Sequence, residues 1–324
     1  MKLFNQKDSV KKITQGIIII TIFFLLLIVC RKEADHVTVK LDWIHGVHFI
    51  GYYTSIEKGF YAKEGLSVTL NEGGPIINEQ VLSAFYNSNA EFGVFNMSNI
   101  ISSAKTDNKI TAIMRTFQIP PYVLFSLKES KIESPENVIG KRVGIKSQRW
   151  KEMIRSTLIN AGIDPAEIIE VEAKSIDMLY SGEIDIWTGY THNEPNEARI
   201  SGYRINEIFT ADYNVGTYSG LLIAHQKMID QDPDLIIRFV RASLNGWIYS
   251  LEHPEEAAEI LNKWQPSKNI EFHRLAVQSI IPLLEIGYSP FGWINENRWK
   301  REMGDVYDPD NPGFTMKFIQ TSEK

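Results

Sequence analysis

The chain has 324 residues, 44% hydrophobic and 23% charged, a balance that calls for a packed globular body and excludes a disordered one. Net charge is −6; the first thirty residues contribute +3 (Lys2, Lys7, Lys11 and Lys12 against Asp8), so the remainder carries −9. An acidic body repels a phosphate backbone, which argues against nucleic acid as a partner, and the single cysteine, Cys30, rules out an intrachain disulfide and a multi-cysteine zinc site.

Behind the basic segment, Ile17 to Val29 forms an apolar run with the order of a secretory leader, too short for a comfortable membrane span. Leu27-Ile28-Val29-Cys30 resembles a bacterial lipoprotein cleavage box, which implies lipidation at Cys30. Val29 stands where that box usually carries Gly, Ala or Ser, and an uncleaved N-terminal anchor is the alternative. Either way the body is expected outside the cytoplasm, with residues 31–36 as a polar tether.

Val37 to Leu41 alternates like a strand, Gly51 to Gly65 carries apolar residues at helical spacing, and Leu66 to Leu70 is the next strand. Glu79 to Tyr86 and Asn99 to Ala104 read as helices; Ala90 to Phe95 and Ile110 to Phe117 read as strands. The alternation then restarts. Val123 to Leu127, Arg142 to Ile145, Ile168 to Val171 and Ile184 to Trp187 read as strands, with Lys151 to Ala161 and Ile176 to Ser181 as helices between them. Leu221 to Ala224 is a last strand, and from Pro233 the pattern is helical, most clearly over Asp234 to Leu251 and Pro254 to Trp264.

Strand–helix alternation implies largely parallel sheet flanked by helices, and its restart implies two lobes. The expected order is a leader over 1–30, a tether over 31–36, the first part of lobe I over 37–120, lobe II over 121–212, and the return to lobe I with C-terminal helices over 213–324. Crossovers fall near Phe117–Val123, stiffened by Pro120 and Pro121, and near Phe209–Tyr218. The cleft between the lobes, at strand carboxyl ends and helix amino ends, is where such a fold takes a ligand.

A family pattern runs through these segments. Asp42-Trp43-Ile44-His45-Gly46-Val47-His48-Phe49-Ile50-Gly51-Tyr52-Tyr53, Glu57-Lys58-Gly59-Phe60-Tyr61 and Glu64-Gly65-Leu66 open it. Gly73-Gly74-Pro75, Ser134 to Asn137, Gly140 to Ile145, Gly182 to Asp185 and Thr191 to Pro195 continue it. In order and spacing, over roughly Val37 to Trp264, the chain resembles the solute-binding proteins related to thiamine pyrimidine synthase. That group includes periplasmic binding proteins for pyrimidine precursors of thiamine and for riboflavin, and is similar to sulfonate- and nitrate-binding proteins. The resemblance implies a two-lobed periplasmic-binding-protein type II fold, with mixed sheets flanked by helices. It also implies an ABC-type permease and ATPase as partners; the N-terminal leader implies tethering to the membrane, and a monomer is expected.

The residues offer a site consistent with that. Trp43 and Tyr52 present flat faces and Asp42, His45 and His48 hydrogen-bonding groups at the end of the first strand, with core packing the alternative for the two rings. Gly74 belongs to the resemblance, and Asn96, Met97 and Ser98 sit between a strand and a helix, where capping is the alternative role. Gln118 lies on the crossover, and Ser147 and Trp150 occupy the matching turn in lobe II. Trp187, Tyr190, Asn193 and Glu194 close the last lobe II strand, with Glu194 the carboxylate expected to accept ligand N–H groups; Tyr213 and Tyr218 lie on the return crossover. A small heteroaromatic ligand follows, because Asp42 and Glu194 would repel an anion.

Related synthases build a pyrimidine from a Schiff-base lysine and a sacrificial histidine one helical turn apart, with a cysteine-rich segment. Here Phe95 and Asn99 stand at the first two positions, and Gly216 to Gly220 contains no cysteine. The expectation is a binder with no catalytic residue, no cofactor and no metal, His45 and His48 having no third ligand at suitable spacing. The alternatives are a synthase, a sulfonate- or nitrate-type binding protein, and a ligand sensor.

Overall fold

A computed structural model describes residues 33–74, 78–106, 110–284 and 290–322. Cys30, the leader and the first two residues of the tether therefore lie outside the described residues. The body is mixed α/β. One sheet has five strands in the order β2 (Leu66–Asn71), β1 (Asp35–Leu41), β3 (Phe92–Phe95), β10 (Ser219–His225), β4 (Ile110–Phe117). β1 and β3 are parallel, whereas β10 runs antiparallel to both of its neighbours. That departs from the largely parallel sheet that strand–helix alternation implies and agrees with the mixed sheets that the resemblance implies. The reason is topological: β10 returns from the other half of the chain and inserts between β3 and β4 from the opposite end.

A second group of strands comprises β5 (Tyr122–Leu127), flanked antiparallel by β8 (Trp187–Tyr190) and β9 (Ile205–Phe209), and a parallel pair, β6 (Arg142–Ile145) with β7 (Ile169–Glu172). A parallel bridge from Val143 to Ile186 and a bond from Gly144 N–H to the Ile186 carbonyl join the two sets. The chain passes between the five-stranded sheet and this group over 117–122 and again over 209–219.

Period-2 burial explains the layers. Leu222 and Ala224 of β10 face one core with Val37, Val39 and Leu41, while Leu221 and Ile223 face a second core with Phe95 and Ala112. Leu124 of β5 packs with Val143, Ile154 and Ile208; Val123 and Phe125 pack the other way with Ile184 and Trp187. β9 escaped prediction because its inward positions are Asn206 and Ile208, so the apolar alternation is broken; Lys128 Nζ satisfies the Asn206 amide oxygen at 2.7 Å.

Two further elements differ from expectation. The predicted helix over Gly51–Gly65 is split into Ile50–Glu57 and Phe60–Lys63, because Gly59 adopts a left-handed conformation (φ 69°) open to glycine at little steric cost. Trp187 to Tyr190 form strand β8 rather than following it, since the preceding Ile184-Asp185-Ile186 lies beside β6 instead.

The helices Ile50–Glu57 and Pro233–Glu252 cross at glycines. Ser55 Oγ donates to the Ala242 carbonyl and Thr54 Oγ1 pairs with Ser250 Oγ, each at 2.8 Å. A Cβ on Gly246 would lie 2.1 Å from the Gly51 carbonyl oxygen. Gly246→Ala is therefore expected to cost about 1–3 kcal/mol by overpacking, read as a lowered Tm in scanning calorimetry; an unchanged Tm would contradict so close a crossing.

Candidate functional site

The ends of many strands converge on one place. Asp42 follows β1, Asn96 follows β3 and Gln118 follows β4, while Lys146 follows β6 and Thr191 follows β8. The antiparallel strands β5 and β10 begin at this same end, at Tyr122 and Ser219. Open α/β sheets place their crevices here, where strand ends and helix starts leave backbone and side-chain groups free to face a ligand.

The second group of strands supplies rings. Tyr122 and Tyr190 are register partners on β5 and β8, with ring centroids 5.4 Å apart. Trp150, in the first turn of the helix Gln148–Asn160, stands edge-on to both, 6.1 Å from Tyr122 and 5.7 Å from Tyr190. Arg149 donates from Nη2 to the Tyr122 hydroxyl at 2.9 Å. Lys146 Nζ lies 4.2 Å from the centre of the Trp150 ring and 2.9 Å from Glu194 Oε1, a cation held between a π face and a carboxylate.

The five-stranded sheet supplies the facing groups. Burial pushes the Asp42 carboxyl up to about 7, against the opposing pull of the Arg149 charge and a hydrogen bond from Asn96. Its field and that of Arg149 both reach Tyr190, whose hydroxyl burial holds well above its usual range. His48, 5.9 Å from the His192 ring, is driven down to about 3, by burial first and then by His192 and His45. Asn96 caps the helix Met97–Ala104 by accepting from the Ser98 N–H at 3.1 Å, and the Asn99 side chain reciprocates to the Asn96 N–H at 3.3 Å. Capping and proximity to Asp42 thus coexist in Asn96, and the Ser98 hydroxyl is tied to the same amide oxygen.

Of the residues singled out in the sequence, Asp42, His48, Asn96, Trp150 and Tyr190 gather here. Ser147, the N-cap of the Trp150 helix, is exposed and makes no side-chain cap bond. Gln118 anchors the crossover, its N–H bonded to the Leu283 carbonyl and its own carbonyl accepting from Arg298. Asn193 sits at the N-cap of the helix Glu194–Ile200. Gly74 follows β2 beside Gly73, whose N–H bonds the Trp43 carbonyl.

Others are placed differently. Tyr52, Met97 and Tyr218 are fully buried and belong to the cores of the five-stranded sheet. Tyr52 packs edge-on to Trp247, and the Tyr218 hydroxyl accepts from the Asn295 N–H at 3.2 Å. Trp187 is only 6% exposed because its inward register on β8 sends it into the core with Phe125 and Leu179. Tyr213 packs against the core that holds Leu124, Val143 and Ile154, its carbonyl held by Asn160. His45 turns away from His48 to Tyr53 (2.9 Å), Glu72 and Trp264. Trp43 is 44% exposed. Both Glu194 oxygens are engaged within the protein, Oε1 by Lys146 and Oε2 by the Tyr190 N–H at 3.0 Å, so this carboxylate organises the β8 turn.

Tyr122, Lys146, Arg149 and His192 were absent from the sequence-derived set. Their signal was positional: each stands near a strand end on the same side of the fold as Asp42. Among the described residues no group of three His, Cys, Asp or Glu side chains could hold a metal ion. An open depression of about 460 Å³, lined by Thr111, Gln226, Asp230 and residues 310–315, lies at the other end of β4 and shares none of these groups.

The chain is 23% identical over 307 residues to riboflavin-binding protein RibY of Chloroflexus aurantiacus, covering 89% of this chain and 87% of that one. It is 24% identical over 292 residues to a formylaminopyrimidine-binding protein of Halalkalibacterium halodurans, with 86% and 87% covered. It is also 25% identical over 255 residues to a 4-amino-5-hydroxymethyl-2-methylpyrimidine phosphate synthase of Legionella pneumophila, with 76% and 79% covered. Its fold matches that of the periplasmic sulfonate-binding protein SsuA of Methylobacillus flagellatus with a TM-score of 0.64 at 16% identity, over 90% and 94% of the two chains. A family model described as NMT1/THI5 like matches residues 47–257, about two thirds of the sequence, and the chain belongs to that family.

Proposed function

We propose that this protein is the extracytoplasmic solute-binding component of an ABC-type importer. It takes a small heteroaromatic ligand of pyrimidine or flavin type and passes it on unchanged to a permease driven by an ATPase. The observation that carries this reading is the ring set Tyr122, Trp150 and Tyr190 facing Asp42, Asn96 and His48 from the other sheet. Rings supply stacking area, and the few polar groups select the heterocycle's edge. Lobes over 37–120 with 213–324, and over 121–212, close by bending at the two crossovers. Lipidation of Cys30 would tether the body to the membrane, and a monomer suffices because both faces of the site come from one chain.

Binding without turnover is supported by what occupies the synthase positions. Phe95, fully buried against Phe85, has no amine for a Schiff base, and Asn99, held in the capping box, has no imidazole to donate. The reading needs no cofactor.

A thermal-shift panel of riboflavin, 4-amino-5-hydroxymethyl-2-methylpyrimidine, alkanesulfonates and nitrate tests it. A ring compound at about 100 times its Kd is expected to stabilise by about 2.7 kcal/mol, roughly 4 °C for a chain of this size. Stabilisation by sulfonate or nitrate alone would instead favour an anion-binding protein, and pyridoxal phosphate absorbance on the purified protein would favour a synthase.

A further inference from the structure

His48 and His192 come from opposite sheets and meet. His48 lies in the helical turn Val47–Phe49 beyond β1, and His192 lies just past the end of β8. Each ring has aromatic backing: His48 is 4.0 Å from Phe49, while His192 is stacked 6.4 Å from Phe117 and tilted 5.8 Å from Tyr190. The charged and titratable groups that bear on this pair are His45 on His48 and Glu194 on His192. His192 is 9% exposed, and its Nδ1 is buried with no hydrogen-bond partner.

An enclosed ring nitrogen without a partner is a standing cost to the folded state, tolerated where a ligand completes the bond. Tyr190, one of the proposed stacking rings, lies 5.8 Å from the same imidazole, so the His192 ring stands beside the crevice and not in a remote core. We propose that His192 is a ligand-contacting, specificity-determining residue, whose Nδ1 pairs with the N–H or ring-nitrogen edge of a neutral heteroaromatic ligand, and that His48 closes against it from the other lobe. This rests on the ring-binding reading above and adds a chemical class to it. Two imidazoles held neutral by burial supply ring-edge donors and acceptors with no counter-charge of their own, which suits a neutral ring.

The test titrates wild type, His192→Phe and His192→Asn with riboflavin by fluorescence quenching and with 4-amino-5-hydroxymethyl-2-methylpyrimidine by calorimetry. His192→Phe is expected to keep the shape and the Tm but to weaken the preferred probe at least tenfold. His192→Asn, whose amide can donate or accept, is expected to recover part of that loss. His192→Leu carries the same expectation as His192→Phe should the larger ring not be accommodated. Binding by His192→Phe within twofold of wild type, with wild type binding normally, overturns this inference and leaves the ring-binding reading intact. If wild type takes neither probe, both fall.

Discussion

Replacing Trp150 by alanine is expected to weaken binding of the ring ligand about 10- to 100-fold while leaving Tm almost unchanged. Trp150 stands in the first turn of its helix, contacts Tyr122 and Tyr190 only edge-on, and is partly exposed, so its removal leaves no sealed cavity. Loss of one stacking ring costs about 1–3 kcal/mol of binding, which sets the range. Trp187→Ala is expected to do the reverse. Its ring sits among Val123, Phe125 and Leu179, and truncation there should cost about 3–5 kcal/mol of stability before binding is touched. Trp43→Ala, at a 44% exposed position, should do little to stability. Isothermal titration alongside calorimetry separates the three; equal binding losses in all three would dissolve the assignment of Trp150.

Asp42→Asn is expected to raise stability above pH 7 and to leave it unchanged near pH 4. The folded-state carboxyl titrates near 7 rather than 3.8, mainly through burial, so folding holds a proton that the unfolded chain releases. Stability drawn from this group is present below about pH 4 and is lost as pH rises to about 7. His48 and His192 act with the opposite sign. Burial drives them down to about 3 and about 4, so they are neutral when folded, and the unfolded chain takes up protons below about 6.5. Their contribution is full above pH 6.5 and shrinks toward pH 4. Between pH 4 and 6.5 two histidines outweigh one aspartate. These three groups alone therefore put the stability maximum near pH 6.5. The Asp42→Asn substitution removes the loss due to this carboxyl, for a gain on the order of 2 kcal/mol or several degrees in Tm at pH 8, discounted for the partial exposure of the side chain. Tm of both proteins from pH 4 to 9 reads this out, and a variant less stable than wild type at pH 8 contradicts it.

Much of the site's location was legible because strand ends are. Val37-Thr38-Val39-Lys40-Leu41 alternates cleanly, and the residue after it, Asp42, is where a crevice must begin. Asn96 and Trp150 follow from the same logic. What the local pattern cannot convey is which partner a strand takes. Ile184-Asp185-Ile186-Trp187 alternates as well as Trp187-Thr188-Gly189-Tyr190 does, and only the antiparallel register with β5 decides that Tyr190 sits opposite Tyr122 while Trp187 sits opposite Phe125. Glu194 read as a free carboxylate because Lys146, its counter-ion, is 48 positions away in sequence. His192 entered only within the Thr191 to Pro195 stretch of the family pattern; its meeting with His48 exists only when both sheets are in place.

A crystal structure with the ring compound that gives the largest thermal shift tests the central claim most directly. The expected result is the ligand ring within about 4 Å of Trp150 or Tyr190, its polar edge reaching Asp42 or His192, and its covalent structure unaltered. A ligand seated instead in the depression beside Thr111 and Gln226, or bonded covalently to a lysine, would contradict it.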